Sequence, residues 1–195
     1  MHRRHVLHLM AACALPAALA ACSERKPQFN AVDLTGADYA KDFQLPDTSG
    51  KVRSLKDFKG KAVIVFFGYT QCPDVCPTTM ADIAQAKKLL GAEGAKVQGI
   101  FITIDPERDT PELLKAYVAN FGPDFIALRG TPEQTAAIAK DFKVYYKKVE
   151  GKDGNYTMDH SAASFIYDPQ GRLRLYARYG AGPQVLADDL KQLLA

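Results

Sequence analysis

The sequence predicts an α/β domain, and three features predict it. A continuous apolar run, 62–67, is rich in β-branched and aromatic residues, as a strand buried on both faces requires, and 97–104 is a second apolar strand. Segments with apolar residues at helical spacing lie between and after them. Two of these segments open with Thr-Pro, at Thr110-Pro111 and Thr131-Pro132. The threonine supplies a capping hydroxyl, and proline at the first helical position has no intrahelical donor to lose.

Taken in order, residues 23–40 lack sustained periodicity and read as a tether. Residues 43–58 carry turn chemistry, Pro46-Asp47 and Ser49-Gly50, around Leu45, Val52 and Leu55, so a hairpin should lead into a helical turn. The run 62–67 is the first buried strand. Pro77 then opens a helix through Leu90, with Met80, Ile83 and Ala84 on its apolar face. The run 97–104 is the second strand, followed by a helix that carries Leu113, Leu114, Tyr117 and Phe121. Residues 125–128 suit a short third strand, and the helix capped by Thr131 should reach about Phe142. Residues 144–149 alternate apolar and basic side chains, and 151–154 turn that strand back toward Tyr156. Two further strands, 163–167 and 173–179, are joined at Asp168-Pro169-Gln170-Gly171, and 183–194 closes the chain as an amphipathic helix. Setting aside the inserted strand and helix leaves a βαβ unit and a ββα unit, the order of a thioredoxin-like sheet. The expected fold is therefore thioredoxin-like, over 41–195, with an N-terminal hairpin extension and an inserted helix and β-hairpin.

The chain has 195 residues, 24% charged and 47% hydrophobic, which suits one globular domain with a sizeable core. Its first residues differ in kind. Arg3 and Arg4 form a short basic head, and 6–21 is apolar, uncharged and interrupted by Pro16. That run is short for a membrane span and reads as the core of a secretory signal. It ends in Leu19-Ala20-Ala21-Cys22, which resembles the lipobox of bacterial lipoprotein precursors. By that resemblance 1–21 is removed, 22–40 tethers the domain, and Cys22 carries the acyl chains. Several chains anchor firmly, because each buried methylene adds about 0.8 kcal/mol. An uncleaved signal-anchor helix is the alternative, and it also places the domain outside the cytoplasm.

Cleavage would leave 174 residues with formal charge +1 instead of +3, since both lost charges are arginines. Such a balance gives no concentrated basic face for nucleic acid. Of four histidines only His160 would remain, and Cys72 and Cys76 would be the free thiols, with Cys13 lost and Cys22 acylated. In an oxidising compartment a thiol pair is a disulfide, a redox pair or a metal site.

Cys72-Pro73-Asp74-Val75-Cys76-Pro77 lies between the first buried strand and its helix, where ligand sites of α/β sheets gather. A helix N-terminus there favours thiolate. Residues four apart on a helix stand about 5–6 Å from each other, so both sulfurs can reach one ion. The same separation also permits a disulfide, structural or redox-active. His160 precedes a strand that would start beside this loop, and Asp159 adjoins it. Two sulfurs and one imidazole form a soft donor set that suits copper in either common oxidation state. Structural zinc normally takes four ligands, and no fourth is evident.

These residues resemble the Sco/SenC family. The likeness is carried by Cys72 to Pro77, by Asp105-Pro106-Glu107-Arg108-Asp109-Thr110-Pro111, by Asp159-His160-Ser161, and by Phe165-Ile166-Tyr167-Asp168-Pro169-Gln170-Gly171. The resemblance implies a copper metallochaperone of cytochrome c oxidase assembly that binds one copper per chain through Cys72, Cys76 and His160. The same two cysteines would form its redox-active disulfide. Its client would be the CuA site of oxidase subunit II, and other periplasmic copper chaperones would be further partners. The domain would sit at the periplasmic face of the cell membrane through Cys22. Asp159 and Asp105 are candidates for supporting the ligands from outside the donor set.

Rival readings stay open at this point. A dedicated thiol-disulfide oxidoreductase would use the same sulfurs, although 162–164 reads Ala-Ala-Ser where thioredoxin-like enzymes carry a proline. A copper sensor or electron carrier would share the donor set. A peroxiredoxin fits less well, because its motif needs threonine and proline where this chain has Pro73 and Tyr69.

Overall fold

The structure, a computed structural model, describes residues 27–195. The signal and the lipidation site at Cys22 lie outside the described residues. Among the described residues, no helix is long and apolar enough to cross a membrane.

The element order is β1 (Val32–Asp33), β2 (Leu45–Pro46), β3 (Val52–Arg53), β4 (Ala62–Gly68), α1 (Val75–Leu89), β5 (Val97–Thr103), α2 (Pro111–Ala119), β6 (Ile126–Leu128), α3 (Pro132–Asp141), β7 (Tyr146–Glu150), β8 (Tyr156–His160), β9 (Ser164–Tyr167), β10 (Leu173–Ala177) and α4 (Pro183–Leu194). Six strands form the main sheet in the order β1-β10-β9-β4-β5-β6. Strands β4, β5 and β6 run parallel, and β9, β10 and β1 continue the sheet antiparallel. This is the expected mixed α/β sheet. The β2–β3 hairpin leads into a single 3-10 turn at Leu55–Phe58, and β7–β8 forms a separate two-stranded ladder.

Every residue of β4 and β5 is buried. Full burial of a Val, Ile or Phe side chain contributes about 1.5–3 kcal/mol, so the centre of the sheet is close-packed and resists deformation. The carboxyl ends of these two strands form the floor of the site described below. Thr110 and Thr131 cap α2 and α3 by accepting from the amides of Leu113 and Gln134, and Gln134 reaches back to Thr131 as a capping box.

Two expectations are corrected. The segment 22–40 is not a tether throughout: Val32 and Asp33 pair with Tyr176 and Leu175, and the amides of Asn30 and Ala31 donate to the buried Asp189 carboxylate at 2.8 Å each. The folded unit thus begins before residue 41. Backbone pairing over two residues and two amides on one carboxylate leave no periodic trace in the side chains. Pro77, expected to open α1, is its third residue. The helix starts at Val75, which places Cys76 in the first turn.

Candidate metal centre

Cys72, Cys76 and His160 come together, with one ligand atom from each lying within 4.8 Å of the others. The two cysteines are free thiols, Cys76 buried and Cys72 half-buried. Separate structural devices hold each donor.

Cys76 sits over the end of β4. A side chain at Gly68 would place its Cβ 2.8 Å from Cys76 Sγ and 2.9 Å from the Phe101 ring, so only glycine leaves room for the sulfur. Asp74 caps α1 without a side-chain bond to the helix amides. Cys72 Sγ takes that part instead, accepting from the Cys76 amide at 3.4 Å, one of the first-turn donors that a helix leaves unsatisfied. The hydrogen bond from the Cys76 thiol, helped by the amides of Cys76 and Asp74, brings the Cys72 thiol down to about 4 against the effect of burial. The same hydrogen bond, followed by burial, pushes the Cys76 thiol up. As separate thiols, then, the pair favours one thiolate on Cys72 with one proton shared toward it.

Upstream of Cys72 the loop is pinned by Asp109. Its buried carboxylate accepts from the Thr70 hydroxyl at 2.6 Å, from the Thr70 amide at 3.1 Å and from the Thr103 hydroxyl. Burial raises its pKa, and these hydrogen bonds oppose the rise. In the sequence Asp109 stands only as part of the motif Asp105 to Pro111. Its place before a helix cap gave no sign that it turns back toward β4.

His160 ends β8. Its Nε2 stands 3.4 Å from Cys76 Sγ, and its Nδ1 lies 2.9 Å from the Ser161 carbonyl oxygen. A carbonyl can only accept, so the hydrogen bond assigns the proton to Nδ1 and leaves the Nε2 lone pair facing the sulfurs. The Phe66 and Tyr69 rings meet the imidazole edge-on at 6.1 and 6.0 Å. Ser161 is held in turn: its amide donates to the Tyr145 carbonyl at 2.9 Å, and its hydroxyl accepts from the Tyr145 amide at 3.0 Å.

Of the two supporting candidates, Asp159 turns away from the site and Asp105 is buried outside the donor set. Asp159 is exposed, opposite Lys147 in the ladder, because alternate residues of a strand face opposite sides; the Ser161 carbonyl holds the ring in its place. Asp105 is buried but is not among the three donors. It accepts from Arg108 Nε and, at 2.8 Å, from the Tyr156 hydroxyl. Burial, then this bond to Asp105, pushes the Tyr156 hydroxyl up to about 12.

Two soft sulfurs and one nitrogen with its lone pair turned inward can hold a thiophilic metal ion. A family model described as SCO1/SenC matches residues 32–195. An SCO2-like protein of Rickettsia felis is 36% identical over 152 residues, which cover 77% of this chain and 74% of that protein. The structure of ScoI from Bradyrhizobium japonicum, solved with copper bound, is 44% identical; it superposes with a TM-score of 0.71 and covers 78% of this chain and 98% of its own. A structure of BsSco, in which a disulfide switch was identified, is 25% identical with a TM-score of 0.66, covering 87% of this chain and 99% of that one. BsSco is described as a member of the Sco family of cytochrome c oxidase assembly proteins.

Proposed function

The chain belongs to the SCO1/SenC family, and on that premise we propose that it captures copper with Cys72, Cys76 and His160 and hands it to the CuA site of cytochrome c oxidase subunit II. The observation that carries this reading is the approach of three donor atoms to within 4.8 Å of one another. The donor chemistry agrees with it: thiolates favour copper(I), and an added imidazole accommodates copper(II). Three protein ligands leave coordination positions through which a client thiolate can enter and share the ion. The copper bound in Bradyrhizobium ScoI supports the choice of metal. Anchoring through Cys22 at the periplasmic face of the membrane would confine the search for the client to two dimensions. Its support is the run Leu19-Ala20-Ala21-Cys22. Other periplasmic copper chaperones would supply the ion.

The reading is tested by titrating the reduced chain anaerobically with copper and then adding an apo CuA domain. One copper per chain, lost when the thiols are alkylated and passed on to the CuA domain, is the expected result. Copper that stays with this chain while the CuA domain remains empty would refute delivery.

A second reading, reduction of the client's cysteines before they receive copper, is favoured by the low pKa of Cys72 beside a second free thiol. Both thiols would close a disulfide, and two electrons and two protons would pass to the client's disulfide. Reduction of an oxidised CuA-site peptide faster than by free dithiol supports it, and an equal rate removes it.

A further inference from the structure

Arg108 touches both halves of the site. Its Nη1 donates to the Gln71 side-chain oxygen at 3.1 Å, beside Cys72, and to the Tyr156 carbonyl at 2.8 Å, where β8 begins. Its Nε donates to Asp105, which lies just past the end of β5. The guanidinium carbon lies 3.5 Å from the centroid of the Tyr156 ring, and the hydroxyl of that ring donates to the same Asp105. One planar group therefore joins the cysteine loop, the floor of the sheet and the hairpin that carries His160.

We infer that Arg108 is a positioning residue for His160: it holds the start of β8 against the cysteine loop, so that the far end of the strand delivers the imidazole to the sulfurs. The inference rests on the copper reading of the site. Tyr156 and His160 are four residues apart in one strand, a span of about 13 Å at the usual rise. The Ser161–Tyr145 bonds fix the far end within the hairpin itself. They cannot set the hairpin's height above the sheet, whereas the contacts at Tyr156 can. Nε2 stands 3.4 Å from the Cys76 sulfur, so a shift of the hairpin would part nitrogen from sulfur without unfolding either element.

The blander account is an ion pair within a loop, since Asp105 and Arg108 are three residues apart. That account covers only Nε. It leaves the Nη1 bonds and the stacking on Tyr156 without a purpose, and those are the contacts that reach other segments. They also specify arginine, whose planar fork serves several acceptors at once, where lysine offers a single point charge.

The test uses the reduced full chain, with cuprous and cupric ions as probes, in five forms: wild type, His160→Ala, Arg108→Gln, Arg108→Lys and Arg108→Gln combined with His160→Ala. Arg108→Gln should lower copper affinity about 10–100-fold, the range for partners that orient a ligand. It should also weaken the imidazole nitrogen hyperfine signal of the cupric form. Arg108→Lys should not restore either. In the His160→Ala background, Arg108→Gln should cost nothing further, because the group it positions is gone. A wild-type affinity and nitrogen signal in Arg108→Gln would overturn the inference, as would an undiminished loss in the His160→Ala background. Should Arg108→Gln fail to fold, Tyr156→Phe removes only the hydroxyl on Asp105; a smaller loss in the same direction supports the clamp, and no change refutes it. Equal copper affinity in wild type and His160→Ala would overturn the ligand set itself, and the positioning role with it.

Discussion

The cysteine loop and the β7–β8 hairpin reach the same point in different ways. The loop grows from β4, buried at all its positions, and is locked by Gly68 below and by Asp109 behind. The hairpin stands outside the main sheet, with four of the five β7 residues exposed. Two of three donors are thus part of the core packing, and the third is brought to them on a ladder whose own burial is slight. The core supplies a fixed sulfur pair. The hairpin supplies a ligand that can be withdrawn at lower cost, which is useful in a protein that must release what it binds.

The largest expected effect tests this division directly. Cys76→Ser should reduce copper affinity by more than about 100-fold, beyond what loss of a supporting partner brings, whereas His160→Ala should stay within about 10–100-fold. Competition titrations with a cuprous chelator measure both. Equal losses would make the imidazole as integral as the sulfurs and break the comparison.

Next in size is Gly68→Ala. A methyl group 2.8 Å from Cys76 Sγ and 2.9 Å from the Phe101 ring overpacks the core, so unfolding free energy should fall by about 2–3 kcal/mol, with copper binding impaired. Urea denaturation checks it, and a neutral result would show that the floor of the site yields. Asp109→Asn keeps the shape but turns an amide donor toward groups that donate, Thr70 or Thr103. The expected loss is about 1–2 kcal/mol, read as a lower melting temperature. An unchanged melting point would mean that the loop before Cys72 holds without it.

A pH-dependent effect sharpens the contrast within the loop. Cys72 falls from the ordinary thiol value of 9.0 to about 4 on folding. A depressed folded pKa adds stability that is fully present above the ordinary value and is lost as pH falls through about 4. Iodoacetamide should therefore label Cys72 near its plateau rate at neutral pH, while Cys76 stays protected. A Cys72 rate that climbs only toward the ordinary thiol value would show that the sulfur does not cap α1.

Much of this was legible in the chain. The apolar runs became β4 and β5, the Thr-Pro pairs became the caps of α2 and α3, and the alternation after Val144 became β7. The donors were legible by chemistry, since thiols and imidazoles are few and each has a narrow set of uses. What supports the donors was not legible. Asp159 looked like a partner because it adjoins His160, but a strand turns neighbours to opposite faces, and a backbone carbonyl took its place. Backbone acceptors carry no letter in a sequence.

The linear sequence by itself determined the secondary elements, the kind of sheet and the identity of the donor atoms, because periodicity, capping and ligand softness act locally. Only the tertiary structure decided which carboxylates serve the site, that Gly68 makes room for a sulfur, that the chain joins the sheet as early as Val32, and that Arg108 spans loop and hairpin. Those features depend on segments that are distant in the chain meeting in space, as Val32 meets Tyr176. No local pattern encodes such meetings; they follow from how the sheet, helices and hairpin pack on one another.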